Sequence, residues 1–165
     1  MDWEDKITVK KGNIGERLVR EHFEKNGYIV YEPVTEGPHP YDKIVTMNKK
    51  HIVIAEVKTK ARLNKYAATG FNVDSYKYYH LLGKKYNLPI YIYFVDEMLK
   101  KIYGNKLSIL EEKHIDRMGI IYPNTEIVNG IILFSLEKMI VVKELTDQQV
   151  EAIKKNSSRN YGYKF

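Results

Sequence analysis

Two short runs rich in β-branched residues lie close together in the first third of the chain, at residues 43–47 and 51–57. Three polar residues, 48–50, separate them, so the sequence predicts a β-hairpin with a polar turn. Side chains alternate between the two faces of a strand, which places Glu56 and Lys58 on the same face. The hairpin therefore sets a carboxylate and an amine side by side in an otherwise apolar strand.

A carboxylate in such a strand needs a compensating cation, because an unpaired ion loses its hydration on burial. Lys58 or a divalent metal ion can provide that charge to Glu56. If Asp42 lies across the hairpin, its carboxylate can share the same ion. Mg²⁺ prefers a few hard oxygen ligands together with water and substrate phosphate, which two carboxylates and the main-chain carbonyl of Val57 would satisfy. Lys58 would then orient or activate a water molecule, or offset charge on a phosphate.

The order of these residues resembles a known motif. Asp42, thirteen intervening residues, and then Glu56, Val57 and Lys58 are similar to the bipartite motif of the PD-(D/E)XK nuclease superfamily, which includes restriction endonucleases, archaeal Holliday-junction resolvases and many phage nucleases. The proline of the motif, Pro40, is displaced by one residue. The resemblance covers about residues 8–97. The alternative for the motif is a solvated Glu-Lys pair on an edge strand, which is common in basic α/β proteins.

The resemblance implies an α/β fold of the restriction-endonuclease-like kind, with a mixed central sheet flanked by helices. It also implies a Mg²⁺-dependent deoxyribonuclease in which Mn²⁺ substitutes for Mg²⁺. Asp42, Glu56 and the Val57 carbonyl would bind the metal, and Lys58 would be catalytic. Glu16, in the first predicted helix, would be an auxiliary catalytic residue and a third ligand to the metal or to water. The alternative for Glu16 is an ion pair with Arg20, one helical turn further along.

The remaining elements follow from hydrophobic periodicity, helix caps and turn residues. Thr146 and Gln149 have the spacing of a capping box at the start of the last helix. A helix between the strands at 51–57 and 90–95 predicts a right-handed crossover. The other predicted elements are a helix over 13–26 ended by Gly27, a strand over 28–33, a helix over 75–86 with Asp74 as N-cap, a hairpin over 101–110 around Gly104 and Asn105, a short helix over 111–118, a strand over 131–136 and a helix over 146–156.

The charge of the chain favours a polyanionic partner, and with the motif we take that partner to be DNA. The formal net charge is +6 and the isoelectric point is about 9.2, although a modest excess of this kind also occurs in proteins that bind no nucleic acid. The segment after the motif has no clear periodicity and interleaves cations with an aromatic ring, which suits a phosphate-contacting loop or, alternatively, a solvated connector. The fourteen tyrosines can stack on bases or pack in the core, and we expect most to be structural. The predicted DNA contacts are Lys60, Arg62, Lys65, Tyr66 and Lys77.

The 165 residues are most simply one domain, with a nuclease-like core over about residues 8–97, a C-terminal extension of strands and a final helix, and a mobile tail over 157–165. There is no cysteine, which excludes disulfides, thiolate zinc sites and a thiol nucleophile. No run approaches the eighteen apolar residues of a membrane helix, and the first residues lack the apolar stretch of a signal peptide. We therefore expect a cytoplasmic protein, in the host cytoplasm if it is viral, with no membrane partner.

The sequence thus predicts a metal-dependent DNA endonuclease that hydrolyses phosphodiester bonds, as a monomer or homodimer. Two alternatives remain open: a structure-selective Holliday-junction resolvase, which would act as a dimer, and a catalytically inactive DNA-binding or assembly module on the same fold. The sequence contains no phosphate-binding GxxxxGK[ST] loop, GxGxxG fingerprint, HExxH motif or GxSxG elbow. Nucleotide hydrolysis, dinucleotide binding, zinc proteolysis and serine hydrolysis therefore lack their usual sequence anchors.

Overall fold

The structure is a computed structural model that describes residues 7–34, 41–46 and 51–157. A mixed central sheet is flanked by helices, which confirms the predicted fold class. The helices and strands are α1 (Ile7–Lys25), β1 (Ile29–Tyr31), β2 (Lys43–Thr46), β3 (Ile52–Thr59), β4 (Ala68–Asn72), α2 (Val73–Tyr86), β5 (Ile90–Asp96), β6 (Lys101–Lys106), α3 (Leu107–Leu110), β7 (His114–Ile115), β8 (Ile121–Tyr122), β9 (Ile131–Ser135), a 3-10 turn (Leu136–Lys138), β10 (Ile140–Glu144) and α4 (Asp147–Lys155).

Six strands form the central sheet in the order β1-β2-β3-β5-β6-β10. Only β3 and β5 are paired in parallel, and the other neighbours are antiparallel. The antiparallel register of β2 with β3 ends at the pair Lys43 and Ala55. Since β3 continues to Thr59, its last residues have no strand partner on the β2 side among the described residues, and this free edge positions the site described below.

Apolar side chains cover both faces of the sheet. One face packs against α1 and α4, whose buried residues include Leu18, Phe23 and Ile153. The other packs against α2, α3 and the two-stranded β4–β9 sheet, with Phe71 and Phe134 in ring contact at 5.6 Å between centroids. The central strand β5 is therefore buried on both faces, which explains its almost wholly apolar sequence.

Several predicted elements are confirmed with shifted ends. The hairpin forms from β2 and β3, although its turn lies outside the described residues. The first helix begins at Ile7 rather than at residue 13. The last helix has the predicted capping box, in which the Thr146 hydroxyl accepts the Gln149 N–H and the Gln149 side chain accepts the Thr146 N–H. The N-cap of α2 is Asn72 rather than Asp74, because the Asn72 side chain accepts the Asp74 N–H at 2.7 Å.

The predicted hairpin over residues 101–110 is wrong. Residues 101–106 form the single strand β6, and Gly104 lies within it rather than in a turn. A Cβ atom at Gly104 would lie 2.0 Å from the carbonyl oxygen of Ile92 on β5, so the glycine permits a close approach of two strands. In a sequence, a glycine can indicate either a turn or a close approach of two strands. The two cases are distinguished only when the position of the neighbouring strand is known.

The predicted helix over residues 111–118 is also wrong. Strand β7 lies there and pairs with β8 through a turn in which the Asp116 carboxylate accepts the N–H groups of Met118 and Ile120. The connector after the motif contains strand β4, which the sequence reading left without structure. Gly70 in β4 again permits close packing, since a Cβ there would lie 1.8 Å from the Ile132 carbonyl oxygen.

No helix in the described ranges is long and apolar enough to span a membrane. Residues 35–40, which include Glu36 and His39, and residues 158–165 of the predicted mobile tail lie outside the described residues.

Candidate active site

Asp42, the residue that precedes β2, lies against the free edge of β3. Its carboxylate Oδ2 accepts the N–H of Val57 at 2.7 Å, where a strand partner would otherwise lie. In a strand, the N–H and C=O of one residue point to the same side. The Val57 carbonyl therefore points to the same edge as the Asp42 carboxylate, as the metal-site hypothesis requires.

Glu56 lies beside Asp42 and is almost fully buried, with 4% of its surface exposed. Its Oε2 accepts the main-chain N–H of Asp42 at 3.2 Å. Its Oε1 accepts the Lys58 ammonium at 2.7 Å and the hydroxyl of Tyr79. The structure thus brings Asp42, Glu56 and Lys58 together, and we call this group the carboxylate cluster. Glu56 and Lys58 lie on the face covered by α2.

Tyr79 on α2 completes this cluster and was not singled out from the sequence. The Lys58 ammonium donates to the Tyr79 hydroxyl at 2.8 Å, and that hydroxyl donates to Glu56. Burial raises the pKa of Tyr79, and the charge of Glu56 raises it further, so the phenol remains a donor. In the sequence Tyr79 belongs to an apolar stripe of its helix. The only sign that it takes part in a polar site is its hydroxyl. Lys58 is therefore held in place by two partners.

The electrostatics of Asp42 reflect crowding of acidic groups. Burial raises the pKa of Asp42 to about 7, and the charges of Glu56 and Glu16 add to the shift. The Val57 N–H and the Lys58 charge oppose it without cancelling it. A carboxyl group that holds a proton near neutral pH beside two further carboxylates is an arrangement that a bound cation would relieve.

Glu16 reaches this region from α1, on the opposite face of the sheet. The helix comes so close to β3 that a Cβ atom at Gly15 would lie 1.9 Å from the Thr59 hydroxyl oxygen. The Glu16 carboxylate lies 3.6 Å from the ammonium of Lys43. Burial raises the pKa of Glu16 although Lys43 lowers it, and Glu56 contributes to the increase. The alternative ion pair with Arg20 does not form, because Arg20 bonds Glu32 at 3.0 Å.

Lys43 is a second residue that sequence reasoning missed. Its side chain is fully buried, and its ammonium lies 2.6 Å from Glu32 as well as near Glu16. A buried ammonium requires charged partners, since its hydration is lost. The alternation of side chains along β2 places Lys43 on the α1 face, but only the tertiary structure supplies the two carboxylates that neutralise it.

The oxygen atoms at the free edge of β3 suit a hard divalent cation. They are the carboxylates of Asp42 and Glu56 and the carbonyl of Val57, a donor set that Mg²⁺ and Mn²⁺ accept when water and substrate supply the rest. Within residues 7–34, 41–46 and 51–157, no group of three or more His, Cys, Asp or Glu side chains is arranged to hold a metal ion. A metal at this edge would therefore depend on the Val57 carbonyl, and the role of Glu16 as a ligand stays a prediction.

The predicted DNA contacts have varied environments. The Arg62 N–H donates to Asp96 at 2.8 Å and its guanidinium to the Tyr66 carbonyl at 3.4 Å, while the Tyr66 ring packs against a small apolar cluster. Lys65 and Lys77 are exposed. A cavity of about 350 Å³ adjoins the end of β3, and its lining includes Lys11, Lys60 and Arg62. Lys11 is paired with the buried Glu97 at 2.6 Å, so Lys60 and Arg62 are the lining cations that we consider further.

No protein-family model and no curated protein sequence matches this chain. Among solved structures, it is similar to Hjc, a Holliday junction resolvase from the archaeal hyperthermophile Archaeoglobus fulgidus. The two share 13% sequence identity with a TM-score of 0.51, and the match covers 77% of this chain and 90% of that chain. At this identity the likeness shows a common fold, which is the mixed α/β architecture predicted from the motif.

Proposed function

We propose that this protein is a metal-dependent DNA endonuclease that hydrolyses phosphodiester bonds. The observation that carries the proposal is the convergence of Asp42, Glu56 and Lys58 at the free edge of β3, with the Val57 carbonyl on the same edge. The fold that the chain shares with a Holliday junction resolvase supports the proposal by analogy, and the residues of the site carry it.

In this proposal Asp42, Glu56 and the Val57 carbonyl hold Mg²⁺ or Mn²⁺. Such a cation would polarise a phosphate oxygen and make a water molecule more acidic. The two carboxylates are already oriented: Asp42 by the Val57 N–H at 2.7 Å and Glu56 by the Asp42 N–H at 3.2 Å. Main-chain donors thus set both ligands before substrate arrives, which reduces the reorganisation needed during the reaction.

Lys58 serves as the charged group nearest the scissile phosphate. Its ammonium has three donors, of which two go to Glu56 and Tyr79, so one remains for an attacking water or a phosphate oxygen. Charge builds up on the phosphate oxygens during attack, and a fixed ammonium stabilises that charge. Glu16 is assigned an auxiliary role at the metal or its water, with Lys43 holding the carboxylate in place.

DNA is the proposed substrate because the cluster adjoins cations. The chain carries a formal net charge of +6, and Lys60 and Arg62 line the cavity beyond β3. We assign phosphate contacts to Lys60, Arg62, Lys65 and Lys77 and a stacking contact to Tyr66.

The test of this function is the substitution Asp42→Asn. It removes one ligand charge, so Mg²⁺-dependent cleavage should be abolished. Metal-free DNA affinity should be unchanged or higher, because a carboxylate beside the phosphodiester repels it. Plasmid cleavage is followed with Mg²⁺, with Mn²⁺ and with EDTA, and affinity by filter binding at one fixed salt concentration.

The same assay separates an enzyme from a DNA-binding module. A pure binding module would bind equally well in Mg²⁺ and EDTA, and the wild-type protein would cut nothing. If Asp42→Asn cuts DNA as fast as the wild type, the proposed mechanism is wrong.

A second candidate is a structure-selective resolvase that uses the same site. The observation that favours it is the structural likeness to a Holliday junction resolvase. Cleavage of duplex, single-stranded, flap and four-way substrates distinguishes the two functions. A resolvase should cut the four-way junction at paired symmetric positions and leave the linear duplex largely intact, whereas a general endonuclease should cut the duplex as well.

A further inference from the structure

A cavity of about 680 Å³ lies away from the carboxylate cluster and is larger than the cavity beside the end of β3. It is lined by the first residues of β3, including Val53, and lies on the face of the sheet that α1 covers. Glu56 and Lys58 lie near the other end of the strand and on the other face. The volume is in the range of cavities that bind small organic ligands. None of the functions assigned above uses this cavity.

Aromatic rings form much of its wall. Tyr91 and Tyr93 are stacked, with their planes 13° apart and their centroids 6.3 Å apart. Phe23 makes edge contacts with Tyr28 at 5.3 Å and with Tyr93 at 5.4 Å. Tyr91 is half-buried, so part of its surface remains accessible. Flat aromatic walls favour a flat ring as the occupant over an aliphatic chain.

The polar groups of the cavity suit a ligand that forms hydrogen bonds and carries negative charge. Burial raises the pKa of Tyr93, and the neighbouring Tyr91 and Tyr28 add to the shift, so the Tyr93 hydroxyl remains a hydrogen-bond donor. Lys106 and His51 also line the cavity. No acidic side chain occurs among the described residues that line it. A planar ring with hydrogen-bonding edges and an attached phosphate matches these groups.

We propose that this cavity binds a nucleotide, with the base stacked on Tyr91 and the phosphate facing Lys106. The nucleotide can be a free mononucleotide or an unpaired nucleotide of a DNA strand, since both present the same groups. A second copy of the chain fits less well. A twofold contact would place one concave surface against the same concave surface and leave a void between them. The proposal does not depend on nuclease activity, so it is tested in EDTA.

The first measurement is saturation-transfer NMR on the full chain with the four deoxynucleoside monophosphates, the deoxynucleosides and deoxyribose 5-phosphate. Base protons should receive saturation, monophosphates should bind more tightly than nucleosides, and deoxyribose 5-phosphate should bind weakly or not at all. A second arm compares a duplex carrying one unpaired nucleotide with the same duplex in which that nucleotide is abasic. If the duplex with the intact unpaired nucleotide binds more tightly than the abasic duplex, the ligand is a nucleotide of a DNA strand. If only the monophosphates bind, the ligand is a free nucleotide.

Variants connect the signal to the cavity. Tyr91→Leu removes the aromatic plane but keeps an apolar side chain, and should weaken nucleotide binding by about tenfold or more. Tyr31→Leu is the matched control, since Tyr31 is an exposed tyrosine on β1 outside the cavity, and should have no effect. Lys106→Gln should weaken the monophosphates and spare the nucleosides, which provides a second test if Tyr91→Leu does not fold.

Two kinds of outcome would overturn the proposal. One is the absence of saturation transfer to base protons with folded wild-type protein, or an equal affinity of wild type and both cavity variants. The other is a mass that rises with concentration and falls in Tyr91→Leu, without nucleotide binding, which would make the cavity a contact between copies of the chain.

Discussion

At the scale of single residues, the contacts of Lys58 fix the position of its ammonium. Its ammonium bonds both the Glu56 carboxylate and the Tyr79 hydroxyl, at 2.7 and 2.8 Å, and also lies 5.3 Å from the centre of the Tyr79 ring. These contacts hold the charge at one point beside the carboxylates. A preorganised charge of this kind acts on the transition state more than on substrate binding.

We therefore expect Lys58→Ala to reduce single-turnover cleavage by about a hundredfold or more while DNA affinity stays close to that of wild type. Lys77→Ala is the matched control, because it removes one exposed positive charge on α2 that we assign to phosphate binding. It should weaken binding and leave the rate at saturating protein unchanged. Equal losses of binding and cleavage in Lys58→Ala would make Lys58 a phosphate anchor instead.

Asp42 gives a prediction that needs no substrate. The folded protein raises the pKa of Asp42 from its ordinary value of 3.8 to about 7. The folded state thus binds this proton more tightly than the unfolded chain, and the contribution of Asp42 to the free energy of unfolding is lost as pH rises from about 4 to about 7. Since protons compete with a cation for this carboxylate, Mg²⁺ should stabilise the protein more at pH 8 than at pH 5.

The measurement is urea unfolding of wild type and Asp42→Asn at pH 5 and pH 8, each with EDTA and with Mg²⁺. The difference between the two proteins isolates Asp42 from Glu16, whose pKa is also raised by burial. Asp42→Asn should lose both the pH-dependent contribution and most of the stabilisation by Mg²⁺. Equal stabilisation of both proteins by Mg²⁺ would place the cation elsewhere.

At the scale of secondary-structure elements, the approach of α1 to β3 determines how Glu16 reaches the carboxylate cluster. The two elements meet at Gly15, where an added Cβ atom would lie only 1.9 Å from the hydroxyl oxygen of Thr59. The carbonyl of Gly12, one turn earlier, lies 3.5 Å from the same hydroxyl. Glycine at position 15 is therefore required by packing between two elements and not by its backbone freedom.

Gly15→Ala should destabilise the protein by about 1–3 kcal/mol, because the added methyl group forces α1 away from β3. Gly12→Ala is the matched control: a Cβ there meets nothing within 4 Å, so the gain in helix propensity should leave stability unchanged or raise it by up to about 1 kcal/mol. In a double-mutant cycle measured by urea unfolding, Thr59→Ala should recover part of the loss in Gly15→Ala. Additive effects of the two substitutions would contradict the close contact.

At the scale of the whole molecule, the central sheet ends in two edge strands with exposed apolar side chains. Ile29 and Tyr31 on β1 are 54% and 58% exposed, and Ile140 on β10 is 62% exposed. Within the part of the chain that the structure describes, β1 and β10 each have one strand neighbour, and edges of this kind are available for contacts between chains. They bear on the second candidate function, since symmetric cleavage of a four-way junction needs two active sites related by a twofold axis.

If the chain is a resolvase, it should sediment as a dimer at the concentrations at which it cuts four-way junctions, and cleavage should fall as dilution produces monomers. Analytical ultracentrifugation in parallel with the cleavage assay measures both. Symmetric cleavage by a strictly monomeric chain would contradict this model of the resolvase.

The sequence alone determined the features that depend on local periodicity. Alternation along a strand placed Glu56 and Lys58 on one face, and the structure shows them in contact at 2.7 Å. The hairpin of β2 and β3 and the capping box of α4 were likewise predictable, because turn residues and cap residues act over a few positions. The fold class followed from the motif and is confirmed. The metal, the DNA contacts and the role of Glu16 stay predictions.

Tertiary structure decided the features that depend on residues far apart in the chain. Tyr79 joins the cluster only because α2 packs across the face of β3, and buried Lys43 finds Glu16 and Glu32 only because α1 and β1 meet there. The same reason accounts for the error at residues 101–106, where β6 pairs with β10 as well as with β5, and for the missed strand β4, which pairs with the distant β9. The helix predicted over 111–118 is wrong for a local reason, because β7 pairs with the nearby β8. The raised pKa of Asp42 is also a tertiary property, since burial and neighbouring charges produce it.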